Sequence, residues 1–338
     1  MRDLSVRDES SYVINWRCRV CDNRQFAQTY WAREQLFGFD EVFEYKLCSS
    51  CGCLQIVVIP DDLDRYYGSD YYSMRSQPKP GGLKEVFIRA RNRYLSGQFD
   101  VLGALFARLR PFRALASLRP LRLSRGVRIL DVGCGRGELL QALQSAGFTR
   151  LSGVDPFVAD DLDLGGGVKI RRAQLSDVIS LIVNGDREPF DVVMFHHSLE
   201  HIDDAAGALR AAYTALRPDG DCIVRIPTVS SYAWRHYGIN WCGFSPPCHF
   251  MLHSRDSIVL LAERCGFKVT NITDDADTFQ FWGSEQCQRR IPLMRQGILT
   301  PMPGQFTASE LRGFERRAAE LNRQHDGDQI IVYLKRPA

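Results

Sequence analysis

The stretch that decides the fold is Val127-Arg-Ile-Leu-Asp-Val-Gly-Cys-Gly-Arg-Gly137. Val127 to Val132 is a short, mainly apolar run, long enough for a buried strand and too short for a helix. Gly133, Gly135 and Gly137 follow at alternate positions. Glycines there let the chain turn sharply and come close to a ligand where a side chain would block it. Glu138 to Gly147 then reads as a helix closed by Gly147 at its C-terminal cap. Strand, glycine turn and helix make half of a nucleotide-binding βαβ unit.

Two acids sharpen this reading. Asp131 sits in the strand end, where a carboxylate is costly to bury unless it meets a partner such as a ligand ammonium. Leu151-Ser-Gly-Val-Asp155 ends a second strand with another acid, 18 residues after Gly137. That is where an acid receives ribose hydroxyls in nucleotide-binding folds. The acid-x-Gly-x-Gly-x-Gly order resembles motif I of class I S-adenosylmethionine (SAM) methyltransferases, and Asp155 resembles their motif II acid. The dinucleotide fingerprint places its last glycine three residues on and lacks the leading acid, so NAD is the weaker fit. A turn that binds nothing is the third reading.

The composition sets bounds. The 338 residues carry a net charge of +3, too small by itself to imply a polyanionic partner. No apolar run approaches the ~20 residues a membrane span needs, and Met1 to Glu9 lacks a signal-peptide core. Eleven cysteines then predict a reducing compartment, with metal binding or burial for most of them. The expected location is cytoplasmic, with the inner face of the membrane left open.

Cys18-Arg-Val-Cys21 and Cys48-Ser-Ser-Cys51 are two Cys-x2-Cys pairs separated by 26 residues. Each can place two thiolates in one tight turn, and two such turns complete an S4 zinc site. Four unrelated thiols or a redox pair is the competing reading. With no open ligand position apparent, such a zinc would be structural. Tyr66, Tyr67, Tyr71 and Tyr72 cluster downstream; packing between modules explains them better than an acceptor site. From Lys84 to Arg128 there are 11 Lys/Arg against two acids. Residues 101–125 mix aliphatics with arginines, as a connecting helix with a solvated basic face or a peripheral membrane contact would.

Strand–helix alternation continues past the glycine motif, which predicts parallel strands covered on both faces. By position in such a fold, Gln174 to Asp177, with Leu175 among them, flank the nucleoside base. His196-His-Ser-Leu-Glu-His201 falls where the fourth strand ends, facing the ligand side of the sheet. His196 is therefore a candidate cofactor contact and Glu200 and His201 are candidate catalytic residues. Ser-Leu-Glu-His-Ile-Asp resembles the post-strand motif of small-molecule and glycan methyltransferases. The Trp241…Pro247-Cys-His249…His253-Ser spacing is similar to the methyltransferase-23 family, which makes His249 the expected pocket histidine. An arginine is usual there where Cys248 stands, so an acceptor contact at that position is open.

The resemblance implies a Rossmann-like, seven-stranded class I α/β fold whose last strand runs antiparallel between the fifth and sixth. A small zinc-ribbon-like module precedes it. The expected organisation is a zinc module over 1–76, a basic helical linker over 77–126 and a methyltransferase domain over 127–338. Cover segments are expected at 228–253 and 276–327. The implied activity is SAM-dependent methyl transfer to a hydroxyl of a sugar, glycan or similar polar metabolite, as in bacterial glycan and natural-product biosynthesis. Asp131, Gly133, Gly135 and Gly137 would hold the methionine end of SAM, Asp155 its ribose, and His201 or His249 would be the base. A catalytic divalent ion near Glu200 stays open. An RNA methyltransferase gripping nucleic acid through the zinc module and arginines is the alternative, and a fold that has lost transfer is another.

Overall fold

The computed structural model describes residues 16–66, 81–185, 188–295 and 298–338. Three strands come first: β1 (Phe26–Arg33), β2 (Val42–Cys48) and β3 (Leu54–Ile56). The basic segment forms α1 (Leu83–Leu95), α2 (Val101–Leu109) and α3 (Arg113–Ala116). Next come β4 (Arg128–Val132), α4 (Glu138–Ser145), β5 (Arg150–Val154), β6 (Leu162–Gly165), β7 (Val168–Arg171) and α5 (Leu175–Val183). They lead to β8 (Phe190–His196), α6 (Ala205–Ala215), β9 (Leu216–Pro227), α7 (Tyr232–Tyr237), β10 (Met251–Leu252) and α8 (Arg255–Arg264). The chain closes with β11 (Lys268–Asp274), α9 (Phe279–Gln288), β12 (Met294–Arg295), β13 (Ile298–Leu299), α10 (Ala308–Arg323) and β14 (Gln329–Lys335). Tyr67, Tyr71 and Tyr72 lie outside the described residues. Tyr66 packs against Phe39 and Phe43.

The main sheet runs β11-β14-β9-β8-β4-β5-β7-β6. Its centre, β9-β8-β4-β5-β7, is parallel, and β14 inserts antiparallel between β9 and β11. Alternation along β4 explains why its run is apolar on both faces. Ile129 points into a core shared with Leu140, Val192 and Met194. Leu130 and Val132 point into the opposite one, with Val193, Phe195 and Val224.

The sheet has eight strands where seven were expected. The extra one, β6, is an antiparallel edge hairpin with β7. Gly165, Gly166 and Gly167 make that reversal, all at positive φ (81°, 60° and 85°), which costs glycine no Cβ clash. β9 starts as early as Leu216, because Leu216 pairs with Phe190 ahead of a register irregularity.

A second sheet, β1-β2-β3-β10, joins distant parts of the chain. Its last strand comes from the segment read as a substrate cover: Met251 pairs with Gln55 and Leu252 with Leu54. An aromatic core including Tyr45, Trp241, Phe244, Phe281 and Trp282 fills the space beneath. The N-terminal module is therefore continuous with the 228–253 segment in both sheet and core, and with the 276–327 segment in core. Among the described residues, no helix is long and apolar enough to cross a membrane.

Candidate active site

The order of the parallel strands reverses at β4, which has β5 on one side and β8 on the other. Ligands of such sheets sit outside the carboxyl ends at that point. A cavity of about 1140 Å³ opens there, lined among others by Asp131, Gly133, Asp155, Leu175, His196 and His201.

Gly133 makes the turn with φ +71°, and a Cβ there would lie 2.4 Å from the Cβ of Ser198. Ser198 Oγ donates to Val132 O at 2.6 Å, fixing the end of β8 against the end of β4. A Gly133→Ala variant is thus expected to lose roughly 2–5 kcal/mol, from left-handed backbone plus overpacking. Denaturant unfolding of the variant beside the parent checks this; equal midpoints would contradict it.

Neither of the other two glycines lines the cavity. Gly135 N donates to Asp155 Oδ2 at 2.8 Å. Gly137, at φ +79°, opens α4 where a Cβ would come within 2.5 Å of Ile170 Cδ1, so its absence of a side chain serves helix-on-strand packing. Asp155 also accepts from Phe157 N at 2.8 Å. Both of its oxygens thus brace the loop, and the residue also lines the cavity.

Asp131 is 3% exposed, and its carboxyl is raised to about 8, first by burial and then by neighbouring Asp155. A group held neutral there until a cation arrives is what a ligand ammonium would meet. The His196 ring lines the cavity, yet both its nitrogens are sealed and without a partner. Burial, with the nearby Arg225 charge, holds it well below the usual imidazole range. Gln174 and Asp177 form a capping box that places Leu175 and Ser176 at the cavity wall.

Sequence reading did not single out Phe157 or Arg225, which also line the cavity. Arg225 is nearly buried and pairs with Asp275, which Arg113 also contacts at 3.1 Å. A lone arginine inside a strand run was the available signal; its partner, 50 residues away, was not.

Glu200, His201 and His249 converge beside the cavity, where His201 lines the wall, with one ligand atom of each lying within 4.8 Å of the others. Glu200 and His201 sit in the single turn after β8, and His249 precedes β10. Phe250 N donates to Glu200 O at 2.8 Å, which ties the two segments together. His201 Nδ1 lies 2.8 Å from Cys248 O, and His249 Nδ1 lies 2.9 Å from Gly243 O. A carbonyl can only accept, so both Nδ1 atoms carry the proton and both Nε2 atoms are the basic ones. The rings meet edge to face at 4.7 Å.

Burial holds both imidazoles down, His249 to about 3, so both are neutral at pH 7. Burial opposes ionisation of Glu200, which is fully buried. A hydrogen bond from His197 Nδ1 at 3.2 Å outweighs it and holds the carboxyl below its usual range.

The four cysteines of the paired motifs also meet. Sγ of Cys18 is 3.6 Å from that of Cys51, and Sγ of Cys21 is 3.5 Å from that of Cys48. All four are free thiols with sulfurs within 4.8 Å of one another. Sulfurs spread over a tetrahedron at the ~2.3 Å Zn–S distance would stand at nearly this separation. Gln55 Nε2 points at Cys18 Sγ from 2.9 Å, the outer-shell donor a thiolate wants. The residues therefore fit a tetrahedral metal. The module is pinned to α8 by Arg264 to Val20 O (2.6 Å) and by Ser254 Oγ to Cys51 O (2.6 Å).

Comparison with known proteins agrees with this geometry. A family model described as a methyltransferase domain matches residues 98–272, just over half of the chain. Ubiquinone biosynthesis O-methyltransferase of Pseudomonas putida (strain ATCC 700007) is 32% identical over 122 residues, covering 32% of this chain and 51% of that protein. The Ralstonia nicotianae protein of the same name is 35% identical over 124 residues, covering 32% and 50%. The chain thus spans about half the length of the curated relatives it matches. Among solved structures, a SAM-dependent methyltransferase from Archaeoglobus fulgidus superposes with a TM-score of 0.41 at 18% identity, over 70% of this chain and all of that one. That likeness is too distant to carry a functional reading. The glycine turn below the buried Asp131, the cavity at the strand reversal and the family match together place this chain in the class I SAM-dependent methyltransferase family.

Proposed function

We propose that the chain transfers the methyl group of SAM to a hydroxyl of a small polar acceptor, a sugar or glycan building block. The observation that carries this reading is the pair of neutral imidazoles, His201 and His249, oriented by backbone carbonyls beside an ionised, buried Glu200. A hydroxyl must lose its proton as the new O–C bond forms. A neutral imidazole accepts that proton, and the adjacent carboxylate stabilises the imidazolium that results. Asp131 takes the ammonium of SAM and Asp155 the ribose hydroxyls. Gly133 lets the backbone approach the methionine end, and Leu175 and His196 flank the base. The four cysteines hold a structural zinc. Alignment of donor and acceptor supplies much of the rate, and base assistance about 10²–10⁴-fold.

The test is methyl transfer from radiolabelled SAM to a panel of nucleotide sugars, glycans and RNA, with parent and His249→Ala proteins. A sugar product in the parent, a loss of about 100-fold or more in kcat and unchanged SAM affinity are expected in the variant. Transfer to RNA alone, or an unaltered kcat, would sink the reading.

One observation favours a lipid-borne acceptor as the second reading. The α1–α2 hairpin presents Leu83, Val86, Leu102, Leu105 and Leu109 to solvent, with Arg108 and Arg110 alongside. Apolar side chains with an arginine border suit an anionic bilayer surface. Under this reading, Leu102→Ser with Leu105→Ser is expected to cut co-sedimentation with anionic vesicles at least about tenfold. Equal pelleting of parent and variant would reject it.

A further inference from the structure

The convergence of Glu200, His201 and His249 leaves an electrostatic deficit that the proton-transfer role alone does not cover. Glu200 is fully buried, and while one carboxylate oxygen meets His197, Oε2 is sealed and has no partner. Leaving one face of a buried anion unpaired is costly, and such charges ordinarily face a cation or a metal. The proton-bearing Nδ1 atoms of His201 and His249 are committed to the carbonyls of Cys248 and Gly243, at 2.8 and 2.9 Å. That carbonyl anchoring is the outer shell that metal-binding histidines carry, with Nε2 left as the ligand atom.

The three groups come from two segments locked together by the Phe250 N to Glu200 O bond and by Tyr45 OH, which donates to His249 O at 2.9 Å. The site is thus built on supported backbone rather than on a free loop. Ligand atoms within 4.8 Å of one another need about 1 Å of closure to surround an ion at the ~2.0–2.2 Å distances of imidazole and carboxylate ligands.

We propose that Glu200, His201 and His249 form a second metal site, distinct from the four cysteines, which takes a divalent transition ion. Two imidazoles and one carboxylate select zinc, manganese, cobalt or iron over magnesium. Three protein ligands leave coordination positions open, as catalytic rather than structural sites do. His201 lines the cavity, so the open side faces the acceptor. There the ion would stand in for the imidazole bases whose Nε2 atoms it occupies: it would bind the acceptor's hydroxyl oxygen and make it more acidic, and the proton would leave to water as the methyl group arrives. This last step rests on the hydroxyl-transfer reading above; the ion site itself does not.

The test counts metal on the full chain after loading with Co(II), by elemental analysis and absorption spectroscopy. Two equivalents are expected: one with strong thiolate-to-metal bands from the cysteines, one with only weak ligand-field bands. Glu200→Gln and His249→Ala should each weaken the second equivalent by more than the 10–100-fold that outer-shell changes cost. The thiolate bands should stay, and SAM affinity measured by calorimetry should be unchanged. A single equivalent in the parent overturns the proposal, and so does a second one that survives both substitutions. Bound second metal without transfer to any hydroxyl would instead count against the acceptor reading alone.

Discussion

Asp131→Asn is expected to weaken SAM binding by about 10- to 100-fold while making the ligand-free chain more stable at neutral pH. The affinity loss follows from a charge-assisted hydrogen bond to an ammonium, worth about 1.5–3 kcal/mol. The stability gain follows from burial. The carboxyl is raised from 3.8 to about 8 in the folded chain, by burial and by Asp155. The folded state therefore prefers the protonated form and the unfolded state the ionised one. Stability is full below about pH 4 and is lost progressively as pH rises to about 8. Asparagine does not ionise, so the variant's advantage should grow across that window and then level off.

Binding inherits the opposite sign. An ammonium needs the carboxylate, so below pH 8 the site must release a proton when SAM enters. Affinity should rise with pH by up to about tenfold per unit between 6 and 8 in the parent. It should then fall as the ligand's own amine, with a pKa near 7.7–8.0, deprotonates. The variant should lack the rising limb. Calorimetry in two buffers of different ionisation enthalpy reads the released proton directly, and thermal scans read the stability. Should Asp131→Asn bind SAM as tightly as the parent, with no proton released by either, Asp131 does not face the ammonium.

What could be read in the sequence was what is written locally. The β4 run, the glycine turn and Asp155 are close neighbours along the chain, and each reports a backbone need of its own segment. The cysteine pairs have the same character: each is a single turn, and their meeting at 3.5–3.6 Å followed from the type of residue. Glu200 and His201 came from one turn by the same logic. The rest depended on pairings far apart in the chain. Nothing near Met251 shows that it will pair with Gln55, about 200 residues earlier, because a two-residue strand has no periodicity to read. Gly137 illustrates a different limit: a glycine needed for packing against Ile170 and one needed for a ligand look alike in sequence. The β6–β7 hairpin turns on three consecutive glycines, Gly165 to Gly167, and such a run is compatible with many turns, so it does not specify an antiparallel edge.

That long-range pairing is why loss of the cysteine metal should reach the active site. Cys51→Ser removes one of four thiolates, and structural zinc sites contribute on the order of 10 kcal/mol to the folding of small modules. Here strands and core share the load, so a loss of several kcal/mol is expected, lowering Tm by about 10 °C or more in a chain of this size. The module supports the segment that carries His249 and puts no residue on the cavity wall. Through β3 it holds β10, two residues beyond His249, and Tyr45 OH bonds the carbonyl of His249 itself. Asp131 and Gly133 belong to β4 and its turn, whose neighbours are β5 and β8. Methyl transfer should accordingly fall far more than SAM binding: at least about tenfold in kcat against less than about twofold in SAM affinity. A cysteine substitution separates this from chelation, which would also strip an ion from Glu200, His201 and His249. Equal losses in transfer and in SAM affinity would mean global unfolding rather than displacement of His249. Full activity in a zinc-free Cys51→Ser protein would mean that β3 and Tyr45 hold the histidine without the metal.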